Sequence, residues 1–194
     1  MPDLENRLRD ALSRSGGASS DFDLNKDVQI PERKLTPAGV LVAVRLERET
    51  VILTKRSARL KHHPDQIAFP GGKQDAGDPT SVDAALREAE EEIGLPRNYP
   101  RVLGTLPPHQ TVTGYQVTPV VAVLDDSFDP VPEAGEVSEV FEIPFAHLAQ
   151  PAMFRVEGRR WQGRKRFYYT VPYGPYYVWG ATARILRALA DRMS

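Results

Sequence analysis

The stretch from Pro79 to Leu95 constrains this chain more than any other, because it carries two incompatible faces on one helical repeat. Each residue of an α-helix advances about 100°. Glu88, Glu91 and Glu92 then share one edge, Val82, Leu86, Ala89 and Ile93 gather on another, and Glu90 points away from both. The apolar face requires a partner to pack on. The acidic edge crowds like charges, which repel, so a cation belongs among them. The ends of the helix are also written in the sequence. Asp78-Pro79 provides an N-cap followed by proline at the first helical position, and Thr80 with Asp83 offers a competing start. Gly94 suits a left-handed stop, with Pro96 barring continuation.

A chain of 194 residues is long enough to bury a core as one domain. Its net charge of -1 argues against a protein that tracks nucleic-acid phosphates. No apolar run approaches the roughly 18 residues that a membrane span needs. The N-terminus shows no basic-then-apolar leader pattern, so a cytoplasmic protein is expected. With no cysteine, disulfides, thiolate nucleophiles and cysteine-ligated zinc are excluded.

Leu4, Leu8, Ala11 and Leu12 form a stripe that predicts a short amphipathic helix over residues 3–14. Ser15–Ser20 reads as a flexible joint, and residues 1–35 as an N-terminal extension to a domain spanning 36–194. Strands are expected at Ala38–Leu46, Val51–Thr54, Val102–Leu106, Gln116–Leu124 and Val137–Ile143. Further strands are expected at Phe154–Glu157, Phe167–Val171 and Tyr176–Trp179, with helices at Pro144–Ala149 and Ala181–Met193. Strands and helices mix without strict alternation. That pattern predicts an α/β fold whose mixed sheet carries helices on its faces.

The acidic edge has a chemical reading. Hard divalent ions take oxygen ligands, and Mg2+ combines one or two carboxylates with substrate phosphates and water. Glu88 and Glu92, one turn apart, can grip one ion, and Glu91 can hold a second or orient water. Just upstream, Phe69-Pro70-Gly71-Gly72 lets the backbone approach closely. Lys55, Arg56, Arg59, Lys61, His62 and His63 concentrate positive charge before that turn, and Arg56 is the best phosphate contact because its planar fork binds bidentately.

Gly72, Arg87-Glu88, Glu91-Glu92 and Gly94-Leu95 resemble the Nudix box, a glycine and a glutamate followed by Arg-Glu-U-x-Glu-Glu-x-Gly-U, where U is bulky and apolar. Asp78 stands in place of the box glutamate that supports Arg87, Ala89 is a small U residue, and one extra residue separates Asp78 from Arg87. The resemblance implies an α/β/α sandwich with the box forming a glycine loop and helix. It implies metal-dependent hydrolysis of nucleoside diphosphates linked to another group, with Mg2+ or Mn2+ held by Glu88, Glu91 and Glu92. Gly72, Asp78, Arg87 and Gly94 are the implied supports. The implied catalytic groups are Glu91 and Glu92, with Glu136 as a general base from a later loop and Glu139 behind it.

Thr54, Arg56, Ser57 and Phe69-Pro70-Gly71-Gly72 are similar to the upstream signature of the coenzyme A pyrophosphatase branch. Lys61 replaces its arginine and Asp65 its glycine, although Asp tolerates positive φ. Thr113–Pro119 and Val178–Ala183 are similar to the same branch. This implies a coenzyme A-like substrate, contacted by Arg56 and Lys61, and the products adenosine 3′,5′-bisphosphate and 4′-phosphopantetheine. ADP-ribose, NADH, a dinucleotide or a nucleoside triphosphate is the alternative substrate, and a nucleotide sensor without catalysis the alternative function. No nucleic-acid or membrane partner is expected, and monomer and homodimer stay open.

Overall fold

Two β-branched runs meet at the centre of the molecule. The computed structural model describes residues 2–30, 32–161 and 163–194. In its first half, α1 (Pro2–Ser13) and β1 (Ser19–Ser20) precede β2 (Thr36–Arg45), β3 (Thr50–Arg56), β4 (Ile67–Ala68), β5 (Gly71–Lys73) and α2 (Ser81–Ile93). There follow β6 (Arg101–Thr105), β7 (His109–Gln110), β8 (Tyr115–Leu124), β9 (Val137–Pro144) and α3 (Phe145–Leu148). A 3-10 turn at Pro151–Met153 leads into β10 (Arg155–Trp161), β11 (Arg164–Thr170) and α4 (Gly180–Met193).

Among the described residues, β1 to β9 make one mixed sheet of nine strands. Its spine is the parallel pairing of β2 with β8, from Thr36 opposite Tyr115 to Arg45 opposite Leu124. Antiparallel β3 joins β2 at Val44–Arg45, and β9 runs along the other edge of β3. Because successive side chains of a strand face opposite ways, β2 feeds two cores. Leu41 and Ala43 pack with Ala85, Ala89 and Ile93 of α2. Val42 and Val44 join Leu4 and Leu8 of α1 and Ile185, Leu186 and Leu189 of α4. The result is the expected mixed α/β fold, with α2 on one face and α1 and α4 on the other.

Three local expectations need correction. Thr80, not Asp78, caps α2: its side chain accepts from the amides of Val82 and Asp83, and Asp83 returns the bond to Thr80, a complete capping box. Ser19–Ser20 forms a strand rather than a joint, pairing in parallel with His109–Gln110. Ser19 Oγ lies 2.9 Å from His109 Nδ1, and His109 Nε2 lies 3.1 Å from Asp21. Tyr176–Trp179 makes only isolated bridges, Tyr176 to Tyr173 and Trp179 to Thr170, so it follows the turn at Gly174-Pro175 as an irregular segment and not a strand. Met1 and Pro31 of the N-terminal segment lie outside the described residues. Among the described residues no helix is long and apolar enough to cross a membrane.

Candidate active site

Glycines set how close α2 lies to the sheet. A Cβ on Gly39 would fall 1.8 Å from the Ser81 carbonyl oxygen, so the first turn of α2 rests on the bare backbone of β2. That contact was not read in the sequence, although a lone glycine in a β-branched run is a signal of close approach. Next to it, β5 pairs Gly72 with Gly39 and Gly71 with Val40. A Cβ on Gly72 would fall 2.5 Å from the Glu88 carboxyl group, so a side chain there would displace that carboxylate. At the far end Gly94 adopts the left-handed conformation, φ 69° and ψ 20°, and closes the helix as expected.

Arg87 organises the outer side of the carboxylate edge. It grips Asp78 with two nitrogens, Nε to Oδ1 at 3.0 Å and Nη2 to Oδ2 at 2.9 Å, and also donates to the Lys73 carbonyl. The shorter Asp78 therefore reaches its arginine. Hydrogen bonding by Arg87 holds the Asp78 carboxyl below the usual carboxylate range. The other arm of Arg87 meets Glu88 at 2.9 Å and Glu91 at 3.0 Å. Glu91 stays in solvent, with 56% of its side chain exposed, whereas Glu90 pairs outward with Arg97.

Glu92 is different. It is 3% exposed, yet a carboxylate. Its Oε2 accepts from the Gly71 amide at 3.1 Å, and its Oε1 stands 3.8 Å from Arg56 Nη1. Burial pushes its pKa up to about 7, and the charges of Glu88 and Glu136 add to the rise. Burial raises Glu88 as well, with Arg87 opposing. Glu136 reaches this neighbourhood because its carbonyl accepts from the Ser57 amide at 2.8 Å, beside Arg56. Glu139 lies elsewhere, accepting from the Tyr176 hydroxyl at 2.5 Å.

The structure thus brings together Glu88, Glu92, Arg56 and the Glu136 loop. Lys61 remains exposed on the 57–66 loop. In that loop Asp65 takes φ 58°, the positive value that its replacement of a glycine requires, and His63 takes φ 54°. Arg56 Nε is buried without a hydrogen-bond partner among the described residues. A buried donor left open, beside two carboxylates whose pKa burial and neighbouring acidic charge raise, is a site built for an anion and a cation together. Among the described residues no three acidic or imidazole groups form a ready cage. The donor set is nevertheless all oxygen, which fits a hard divalent ion that fills its shell with water and phosphate.

The family model described as NUDIX domain matches residues 35–167. The chain belongs to the Nudix family. This Nudix protein is 42% identical over 154 residues to a protein of Escherichia coli (strain K12 / DH10B) named "Uncharacterized Nudix hydrolase NudL". The match covers 79% of this chain and 80% of that protein. A relative of the same name from Citrobacter koseri is 41% identical over the same shares. Among solved structures, the MutT/nudix family protein from Enterococcus faecalis aligns with 98% of this chain and 73% of its own, at TM-score 0.50 and 15% identity. That last likeness concerns the fold alone. The hydrolase class of this Nudix protein rests on the family match and the relatives.

Proposed function

We propose that the chain hydrolyses the pyrophosphate bond of coenzyme A or a derivative, with Mg2+ or Mn2+, giving adenosine 3′,5′-bisphosphate and 4′-phosphopantetheine. One juxtaposition carries this reading. Arg56, from the stretch similar to the coenzyme A branch, stands 3.8 Å from Glu92 of the box helix. The two signatures, far apart in sequence, therefore face one substrate position.

In this reading residues 36–194 form the hydrolase domain, and residues 1–35 an extension that helps to cover its apolar side. Glu88 and Glu92 would hold the ion, with Glu91 joining once it leaves Arg87. The bound ion supplies neutralisation of the pyrophosphate and a more acidic water. Arg56 offers its unsatisfied Nε and its fork to a phosphate oxygen, a charge-assisted contact that positions the anhydride. Lys61 supplies a second cation from the solvent side. Glu136, exposed and close to Glu92, is the proposed acceptor of the proton from the attacking water. Gly72, Asp78, Arg87 and Gly94 keep the helix and its acids in place.

The test is incubation with Mn2+ and a panel of coenzyme A, its thioesters, NADH, ADP-ribose and nucleoside triphosphates. Release of adenosine 3′,5′-bisphosphate from coenzyme A or a thioester is expected. Product only from another compound reassigns the substrate, and product from none leaves a nucleotide sensor.

A further inference from the structure

The two residues at the end of β3 part company. Arg56 turns to the α2 face and Glu92, and Lys55 turns to the opposite face, across from its pairing partner Glu139. On that opposite face a cleft of about 360 Å³ opens, lined by Lys55, Asp65, Glu139, Tyr176, Tyr177 and Trp179 among others. Its size falls within the range of small-molecule sites. The Nudix box contributes nothing to it.

The walls are aromatic and fixed. Tyr176 stacks on Phe141 at 3.7 Å between ring centroids, with the rings 4° apart, while its hydroxyl is held by Glu139. Trp179 meets the edge of Tyr168 at 5.3 Å. Tyr177 has its hydroxyl tied to Glu157 at 2.7 Å, yet the residue is 43% exposed. An aromatic side chain that is anchored at its tip but left open to solvent is organised for contact.

The charges choose what enters. Lys55 pairs with Asp65 at 3.6 Å, which leaves Glu139 as the surplus charge. A cleft with two carboxylates and one ammonium repels phosphate and accepts a neutral group that donates hydrogen bonds. Phosphates are thereby directed to the Arg56 side of β3, and an uncharged end of the substrate to the Lys55 side.

We infer that this cleft binds the purine base of the substrate, the ring between aromatic walls and the exocyclic amine on the carboxylates of Asp65 or Glu139. The identity of the full substrate rests on the hydrolase reading above, but the cleft does not. A pantetheine arm is also neutral, but it has no ring to use the three aromatic walls.

Calorimetric titration of AMP, inosine monophosphate and 4′-phosphopantetheine in Mg2+ tests the inference without turnover. AMP is expected to bind wild type, and about tenfold more weakly to Tyr177→Ala, from the loss of one stacking contact. Inosine monophosphate, which lacks the amine, is expected to bind wild type about tenfold more weakly than AMP, the scale of one lost hydrogen bond to a charged group. Asp65→Asn, which keeps a residue tolerant of positive φ, should narrow that gap. Thermal melts of both variants confirm folding, and both positions are exposed. The inference is overturned by undetectable AMP binding, by AMP affinity indifferent to both variants, or by 4′-phosphopantetheine being the ligand that depends on Tyr177. If the substrate panel reveals another purine nucleotide, the hydrolase reading changes and the AMP titration still decides the cleft. If coenzyme A is cleaved but AMP ignores both variants, the cleft inference alone falls.

Discussion

The two faces of the sheet are built on opposite rules. On the α2 face, helix and strand touch through Gly39 and a smaller apolar core, and ion pairs crowd its acidic edge: Arg87 with Asp78, Glu88 and Glu91, and Arg56 with Glu92. On the other face, α1 and α4 stand on a broader apolar core, where buried polar groups such as His109 and Thr182 are held by hydrogen bonds to Ser19, Asp21 and the Ile67 carbonyl. The first face is intolerant of displacement because its carboxylates work at fixed separations. The second carries the aromatic cleft, where strand ends and the 175–179 segment form the wall. In the reading proposed above, the chemistry falls on the α2 face and recognition of the base on the aromatic cleft opposite.

The largest effect should come from the rigid side. Glu92→Gln is expected to lower kcat by about 10²–10⁴-fold, the scale of a lost catalytic group, with an unchanged melting temperature or a small rise, since a buried charge is removed. Steady-state kinetics and calorimetric melting check this, and near-normal turnover would break the contrast between the faces. Arg56→Lys keeps the charge and loses the fork. It is expected to raise KM about tenfold with a smaller change in kcat, as removal of one charge-assisted hydrogen bond predicts.

Gly39→Val should destabilise the fold by about 1–3 kcal/mol, the usual cost of overpacking, because its Cβ would strike the Ser81 carbonyl. Denaturant melts measure the loss, and activity should fall further than stability alone explains. Acid distinguishes the other face. Hydrogen bonds from Arg101 and then Arg9 lower the pKa of Glu5 from 4.5 to about 2. Its contribution is therefore complete above about pH 4.5 and disappears as pH falls towards 2. Hydrogen exchange should show α1 loosening in that window before α2, and Glu5→Gln should abolish the pH dependence. The smallest effect is expected at Glu90→Gln, which removes an exposed pair with Arg97 and should leave kcat/KM within twofold of wild type, as surface ion pairs contribute about 0–1 kcal/mol.

The legible parts of this molecule are those coded by neighbours in sequence. The apolar stripe and Gly94 define α2, and β-branched runs define β2 and β8. What escaped is coded by distance. β1, β4 and β7 are two residues long and β5 is three, too short for any period to show, and each exists only through its partner strand. Tyr176–Trp179 looked like a strand because its aromatics suit one, whereas Tyr176 spends its ring on Phe141. At the site, a helical wheel placed Glu88, Glu91 and Glu92 together but could not rank them. Burial under Gly71 singles out Glu92, and Arg87 draws Glu91 outward. Asp78 appeared in two roles, cap and arginine partner, and Thr80 took the first.

The contact between α1 and α4 has a consequence for synthesis. Arg14 donates to the carbonyls of Arg192 and Ser194, and Leu4 and Leu8 share a core with Leu186 and Leu189. α1 thus depends for part of its cover on a helix that leaves the ribosome more than a hundred and sixty residues after it. Until then its leucine stripe has only the sheet to pack on, and at that stage the nascent chain presents a partly open apolar surface that a holdase can grip.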